Sequence, residues 1–246
     1  MNIKLQEQDV YRGNLILVNQ EAPIHFENIT NLTLISFLQS NILLKQNAVN
    51  ALNSVFQEIN AQNDIVPVSG YRSMLEQTQI FEDSLKENGA EFTQKFVAKP
   101  GCSEHQTGLA IDLGQNIPPI DFIRPNFPYY GICNKFRTTA INYGFVERYQ
   151  NGKENITKLA HEPWHFRYVG VPHSQIMYSN QLVLEEYISF LKDFNKNRKL
   201  VYTANQTKFE IYYVPYCEQT NIDCDEDFVY QISGNNIDGF IITNWK

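Results

Sequence analysis

Two short stretches, about fifty residues apart, hold side chains that could do chemistry together. Ser103-Glu104-His105-Gln106-Thr107-Gly108-Leu109-Ala110-Ile111-Asp112 offers an imidazole and a carboxylate in an apolar run, and Glu162-Pro163-Trp164-His165 offers one more of each. Two imidazoles, one liganding carboxylate and one spare carboxylate are what a catalytic zinc site needs. Such a site has three protein ligands, an open position, and a general base that does not bind the metal.

His161-Glu162-Pro163-Trp164-His165 also matches H-E-x-x-H. That motif works on a helix, which puts its two histidines one turn apart on one face. Pro163 sits inside the would-be turn, where a proline costs ~3 kcal/mol and removes a backbone hydrogen bond. The following Trp-His-Phe-Arg-Tyr-Val favours β structure. On a strand, residues four apart are separated by roughly 13 Å, too far for one zinc with bonds near ~2.1 Å. His161 is therefore set aside as a ligand and read as a supporting or surface histidine.

The ligands expected are His105, Asp112 and His165. Asp112 interrupts Leu-Ala-Ile-Asp-Leu, and a carboxylate buried there is costly unless it is paired or bound to metal. A structural aspartate taking backbone hydrogen bonds is the alternative. Glu162, at the turn set by Pro163, would be the general base and then the proton donor to the leaving amine.

The elements that must position these groups can be read from periodicity. Asn14–Val18 reads as a first strand, and 32–44 is apolar without a clear period. Val49, Leu52, Val55, Phe56 and Ile59 recur at helical spacing, so 47–61 reads as an amphipathic helix. Ile65–Val68 reads as a strand. Ser73 and Glu76 form a capping-box pattern opening a helix to about residue 85. Leu109–Leu113 is a short buried strand, and Gly108 allows a turn before it. Residues 115–131, with Pro118, Pro119, Pro125 and Pro128, form an irregular loop suited to binding. Asn134–Tyr143 reads as a helix ended by Gly144, Trp164–Val169 as a strand and Leu182–Phe194 as a helix. Strand-like runs at Phe209–Val214, Phe228–Ile232 and Phe240–Thr243 make residues 197–246 a β extension packed on a main domain of 1–196.

The 246 residues, 43% apolar, are enough for a large core. The 20 basic and 27 acidic residues give a net charge of -7, with no Lys/Arg run to track a phosphate backbone, so no nucleic-acid partner is expected. Residues 1–12 lack the apolar core of a secretory signal, and no apolar stretch is long enough to span a bilayer. No membrane anchor and a cytoplasmic location are expected. Cys102, Cys133, Cys217 and Cys224 form no Cys-x-x-Cys pair; their even count allows two disulfides, and without a secretory signal they are expected as thiols of a reducing compartment. Cys102, beside the first motif, is read as packing, with a cysteine nucleophile as the lesser alternative.

Ser103-x-His105-x-x-Gly108-x-Ala110-x-Asp112 followed by Glu162-x-Trp164-His165 resembles the bacterial zinc D,D-peptidases of the VanX, VanY and VanXY group. Ser69-Gly70-Tyr71-Arg72-Ser73 resembles that group's arginine motif. The resemblance covers residues 45–175 and is nearest to the VanXY type of vancomycin-resistant bacteria. It implies a compact α+β catalytic domain with a small central antiparallel sheet flanked by helices. It also implies one zinc per chain on His105, Asp112 and His165, with Glu162 as base and Arg72 polarising the scissile carbonyl. Ser103, Gln77 and Trp164 would hold the substrate, a peptide ending in D-Ala-D-Ala: the free dipeptide, the peptidoglycan precursor pentapeptide, or both. The loop 115–131 would set the preference between them. Another peptidoglycan peptidase of the same fold, an L,D-carboxypeptidase or an endolysin, would share the zinc chemistry. A non-catalytic zinc- or peptidoglycan-binding module would have no use for Glu162 or Arg72.

Overall fold

The computed structural model describes residues 2–25, 32–38, 40–218 and 220–246. In chain order the strands and α-helices are β1 (Asn2–Lys4), β2 (Leu34–Ser36), β3 (Leu43–Lys45), α1 (Gln46–Ile59), β4 (Ile65–Ser69), α2 (Met74–Phe96), β5 (Ala110–Gln115), α3 (Gly131–Ala140) and β6 (Phe145–Tyr149). They continue with α4 (Glu154–Thr157), β7 (Glu162–Tyr168), α5 (His173–Ser179), α6 (Leu184–Leu191), β8 (Leu200–Ala204), β9 (Thr207–Pro215), β10 (Asn221–Asp223), β11 (Val229–Gly234) and β12 (Gly239–Trp245). The expected α+β class, with small antiparallel sheets and helices, is what the chain adopts.

The residues group into two units. One holds Asn19–Pro23 and the described part of Asn31–Val183. Its centre is the antiparallel sheet β4-β5-β7-β6. Strand alternation divides the side chains of this sheet. Ile111, Leu113 and Phe166 enter the core with Leu52, Val55 and Phe56 of α1 and Phe136 of α3. Phe136 meets Phe56 and Phe166 edge-on at 5.8 and 5.0 Å, and each such buried ring contributes about 1.5–3 kcal/mol. This packing fixes the sheet and leaves its other face to carry Asp112 and His165.

Helix α2 opens with the expected capping box: Glu76 N–H donates to Ser73 Oγ at 3.2 Å and Ser73 N–H to Glu76 Oε2 at 2.7 Å. It runs to Phe96, past the expected end, with a break at Gly89, whose φ is 79°. Three strands were not foreseen here. Phe145-Val-Glu-Arg-Tyr149 forms β6, and β2 and β3 pair antiparallel with Leu34 opposite Lys45.

The other unit holds described residues of Met1–Val18, Ile24–Thr30 and Leu184–Lys246. Its sheet has the order β11-β12-β9-β8, and β1 pairs with β10. Leu5, Val10, Tyr212, Ile222, Phe240 and Ile242 form its core. The three expected tail strands are present, joined by an unforeseen β8. Asn14–Val18 is not a strand: Leu15 N–H donates to Ser233 Oγ, Leu17 N–H to Asn235 O, and Leu17 O accepts from Asn236 Nδ2. Its apolar side chains are buried, but these bonds run to a turn and to side chains instead of a ladder.

Candidate active site

Sheet register assembles the site. On β5, Asp112 is directly opposite His165 of β7 on one side and Ser69 of β4 on the other. Directly opposed residues share a face, with Cβ atoms roughly 5 Å apart, so Ser69, Asp112 and His165 form one row. Two irregularities tune that row. A register shift between Pro67 and Ser69 brings Ser69 level with Asp112. A second shift lets Tyr149 pair with Glu162 while Glu147 pairs with Phe166, so β7 carries extra residues between Glu162 and Phe166. In a regular strand residues 162 and 165 would face opposite ways. The bulge re-aims them, and Glu162 Oε2 lies 4.0 Å from His165 Nδ1.

His105 comes from the 3-10 turn Glu104–Thr107, which ends at Gly108 with φ 69°. Its Nδ1–H donates to Gly70 O at 2.7 Å, because a carbonyl can only accept. Gly70 itself is packed against β3, where a Cβ would lie 2.6 Å from Leu43 O. His105 Nε2 is then turned to Asp112 Oδ2 at 3.0 Å, and His165 Nδ1 to Asp112 Oδ1 at 2.8 Å. The donor atoms of His105, Asp112 and His165 lie within 4.8 Å of one another, all buried. The fit to zinc is good, since two imidazoles and a carboxylate each turn one ligand atom towards a shared centre. His161 is elsewhere: its Nε2 is 2.7 Å from Tyr129 Oη and 3.5 Å from Glu147 Oε1.

Charge explains the state of each group. Burial and the Arg72 guanidinium hold His105 down to about 4, which favours the neutral imidazole, the form that can bind a metal. Burial alone would lower His165, but Asp112, Glu104 and Glu162 raise it to about 9. Burial alone would raise Asp112, but the two histidines hold it below the usual carboxylate range. Burial pushes Glu162 up to about 8 against the pull of His165 and Arg72. A carboxyl poised near neutrality suits a group that takes a proton and gives it back.

Arg72 Nη2 donates to Asp112 Oδ2 at 2.9 Å and Nε to Ser69 Oγ at 2.8 Å. Gln77, expected on the substrate, is completely buried behind Arg72: its Oε1 accepts from Nη1 at 3.4 Å and its Nε2 donates to Ala98 O at 2.7 Å. It steadies the arginine and does not line the cleft. Ser103 and Trp164 do line it, with Tyr149, Phe122 and Ile123. Cys102 is not among the residues that line the cleft, and burial raises its thiol, which disfavours a thiolate nucleophile. Two residues beyond the expected set hold the site: Tyr149, its ring centroid 4.8 Å from that of His165, and Glu104. The register of β6 marks the first only once the fold is known.

The metal-ligand assignment predicts a clear pattern of zinc content. His105→Ala and Asp112→Ala should lose the ion on metal analysis of the purified protein, and His161→Ala should keep it. Loss in His161→Ala would restore the H-E-x-x-H reading.

Residues 41–171 match the family model VanY, D-alanyl-D-alanine carboxypeptidase. The chain is 41% identical over 185 residues to the bifunctional D-Ala-D-Ala dipeptidase and D-Ala-D-Ala carboxypeptidase VanXYC of Enterococcus gallinarum, covering 75% of this chain and 94% of the relative. Its fold is similar, at TM-score 0.97 and 52% identity over 100% of this chain and 99% of the other, to the vancomycin-resistance D,D-dipeptidase VanXYg in complex with a D-Ala-D-Ala phosphinate analog. At TM-score 0.60 and 29% identity, over 71% of this chain and 98% of the other, it is also similar to the D,D-pentapeptidase VanY from the VanB-type resistance cassette in complex with Zn(II).

Proposed function

The chain belongs to the VanY family of D-alanyl-D-alanine carboxypeptidases, and on that footing we propose that it is a zinc D,D-peptidase of vancomycin resistance. It hydrolyses D-Ala-D-Ala and removes the terminal D-Ala of the peptidoglycan precursor pentapeptide. The observation that carries this is the cluster of His105, Asp112 and His165, with Glu162 held 4.0 Å from His165. One zinc per chain, held by His105, Asp112 and His165, would supply a Lewis acid and a more acidic water.

The remaining chemistry belongs to the side chains. Glu162 takes the proton of the attacking water on a carboxylate oxygen and delivers it to the nitrogen of the departing D-alanine. Arg72 donates to the scissile carbonyl oxygen as negative charge develops there. Its bonds to Ser69, Gln77 and Asp112 use three of its five N–H groups. Ser103 and Trp164, on the cleft wall, contact the substrate. No helix among the described residues is long and apolar enough to cross a membrane. Work in the cytoplasm fits the thiol state of Cys102 and Cys133.

The loop 115–131 is the element we propose to set substrate length. Phe122 stands 5.8 Å from the Arg72 guanidinium, and Tyr129 anchors the loop's far end to Glu147 and His161. Shortening the loop should change the ratio of dipeptide to pentapeptide cleavage while zinc stays bound; an unchanged ratio removes that role. The function itself is tested by D-alanine release from D-Ala-D-Ala and from the pentapeptide, beside L-Ala-L-Ala and an L,D-linked tetrapeptide end. Cleavage of the first two alone is expected. Cleavage of only the L,D-linked end would make the protein an L,D-carboxypeptidase.

A further inference from the structure

Glu104 is a completely buried carboxylate with no part in the chemistry above. It sits on the 3-10 turn next to His105, pointing to the face of the sheet that carries His165. Two buried guanidiniums hold it: Arg148 Nε donates to its Oε1 at 2.9 Å and Arg167 Nη1 to the same oxygen at 2.7 Å. Both arginines take Oε1. The other oxygen, Oε2, is buried with no hydrogen-bond partner, and so is His165 Nε2. These two orphaned atoms lie 3.5 Å apart.

A bond between them needs a shift of only a few tenths of an ångström, since an N–H···O bond spans about 2.7–3.2 Å. Sheet geometry supplies the clamp: Arg167 is two residues on from His165 along β7 and so shares its face, and Arg148 comes from the neighbouring β6. The two histidines of the site are thus steadied by different chemistry. His105 gives its second ring nitrogen to a neutral carbonyl, Gly70 O. His165 faces a carboxylate.

We infer that Glu104 is the positioning residue of His165: locked by Arg148 and Arg167, it accepts the Nε2–H of His165 and so keeps the Nδ1 lone pair turned to the cluster of His105 and Asp112. A carboxylate on the far nitrogen fixes the tautomer and ring angle of a ligating histidine and makes it a stronger ligand, an effect worth about 10–100-fold in metal affinity. The inference rests on His165 being a metal ligand. It assigns Glu104 a task that neutralising two arginines would not require.

The test uses the full-length protein and zinc itself. Glu104→Gln keeps size and shape and removes the charge. Zinc should bind it about 10–100-fold more weakly than wild type by competition with a chelating dye. A Glu104 that serves only to neutralise Arg148 and Arg167 would lower the melting temperature and leave zinc affinity alone, and that result overturns the proposal. If Glu104→Gln does not fold, wild type decides. Long-range nitrogen–proton NMR of the zinc-loaded protein should show His165 as the Nε2–H tautomer with its Nδ1 metal-bound, and a downfield Nε2 proton. A bare Nε2 on His165 overturns the proposal. His165→Ala separates the two levels: if it keeps zinc at wild-type affinity, the ligand assignment fails; if it loses zinc and Glu104→Gln does not weaken it, only the role of Glu104 fails.

Discussion

Glu162→Gln should cut turnover of D-Ala-D-Ala by about 10²–10⁴-fold while the protein keeps its zinc. The amide has the same shape and can still fill the pocket beside His165 and Arg72, so the cleft is preserved. It cannot accept a proton from water or return one to the leaving nitrogen. The expected loss corresponds to about 3–5 kcal/mol of transition-state stabilisation. The position of Glu162 makes the effect specific. It is nearly buried, its carboxyl is raised to about 8 by that burial, and it approaches His165 Nδ1 only to 4.0 Å. Zinc content beside turnover is the measurement. A Gln variant with near-normal turnover would remove Glu162 as the base.

Arg72→Ala should lower kcat by about 10²–10³-fold, the usual loss when one donor to a developing oxyanion is removed. Zinc should remain, because Arg72 touches Asp112 without being a ligand. The pairing gives the prediction a second arm. Arg72 Nη2 holds Asp112 Oδ2 while Nε holds Ser69, a two-point fixing that a lysine cannot reproduce. Arg72→Lys should therefore recover only part of the lost turnover. Full recovery would show that a point charge suffices and that the planar fork has no role. Loss of zinc in Arg72→Ala would make the arginine a support of Asp112 before anything else.

The core of the site was legible because its residues break local rules. Asp112 sits in an apolar strand where a carboxylate has no business without partners, and the structure supplies His105, His165 and Arg72. Pro163 made a helical H-E-x-x-H untenable, and the segment is a strand with His161 turned to Tyr129. Helix α1 and the start of α2 were legible for a different reason: periodicity and a capping box are local signals.

What could not be read depends on register and long-range pairing. The alignment of Ser69, Asp112 and His165 rests on two strand irregularities, and no local pattern announces a bulge. Gln77 has the sequence context of an exposed helix N-terminus, and only the packing of α2 shows it buried against Arg72 and Ala98. Glu104 looks like any glutamate beside a histidine until β6 and β7 bring Arg148 and Arg167 to it. Asn14–Val18 shows the reverse failure: an apolar run with strand composition whose backbone is satisfied by a turn and side chains of the same unit.

At this cluster the protein is expected to cleave a D,D-peptide bond only with metal bound. The most direct measurement is D-alanine release from D-Ala-D-Ala by the purified protein, before and after removal of metal with a chelator, and again after zinc is restored. Release should stop in the metal-free protein and return in full with one equivalent of zinc per chain. Undiminished release from protein shown to be metal-free would contradict the account.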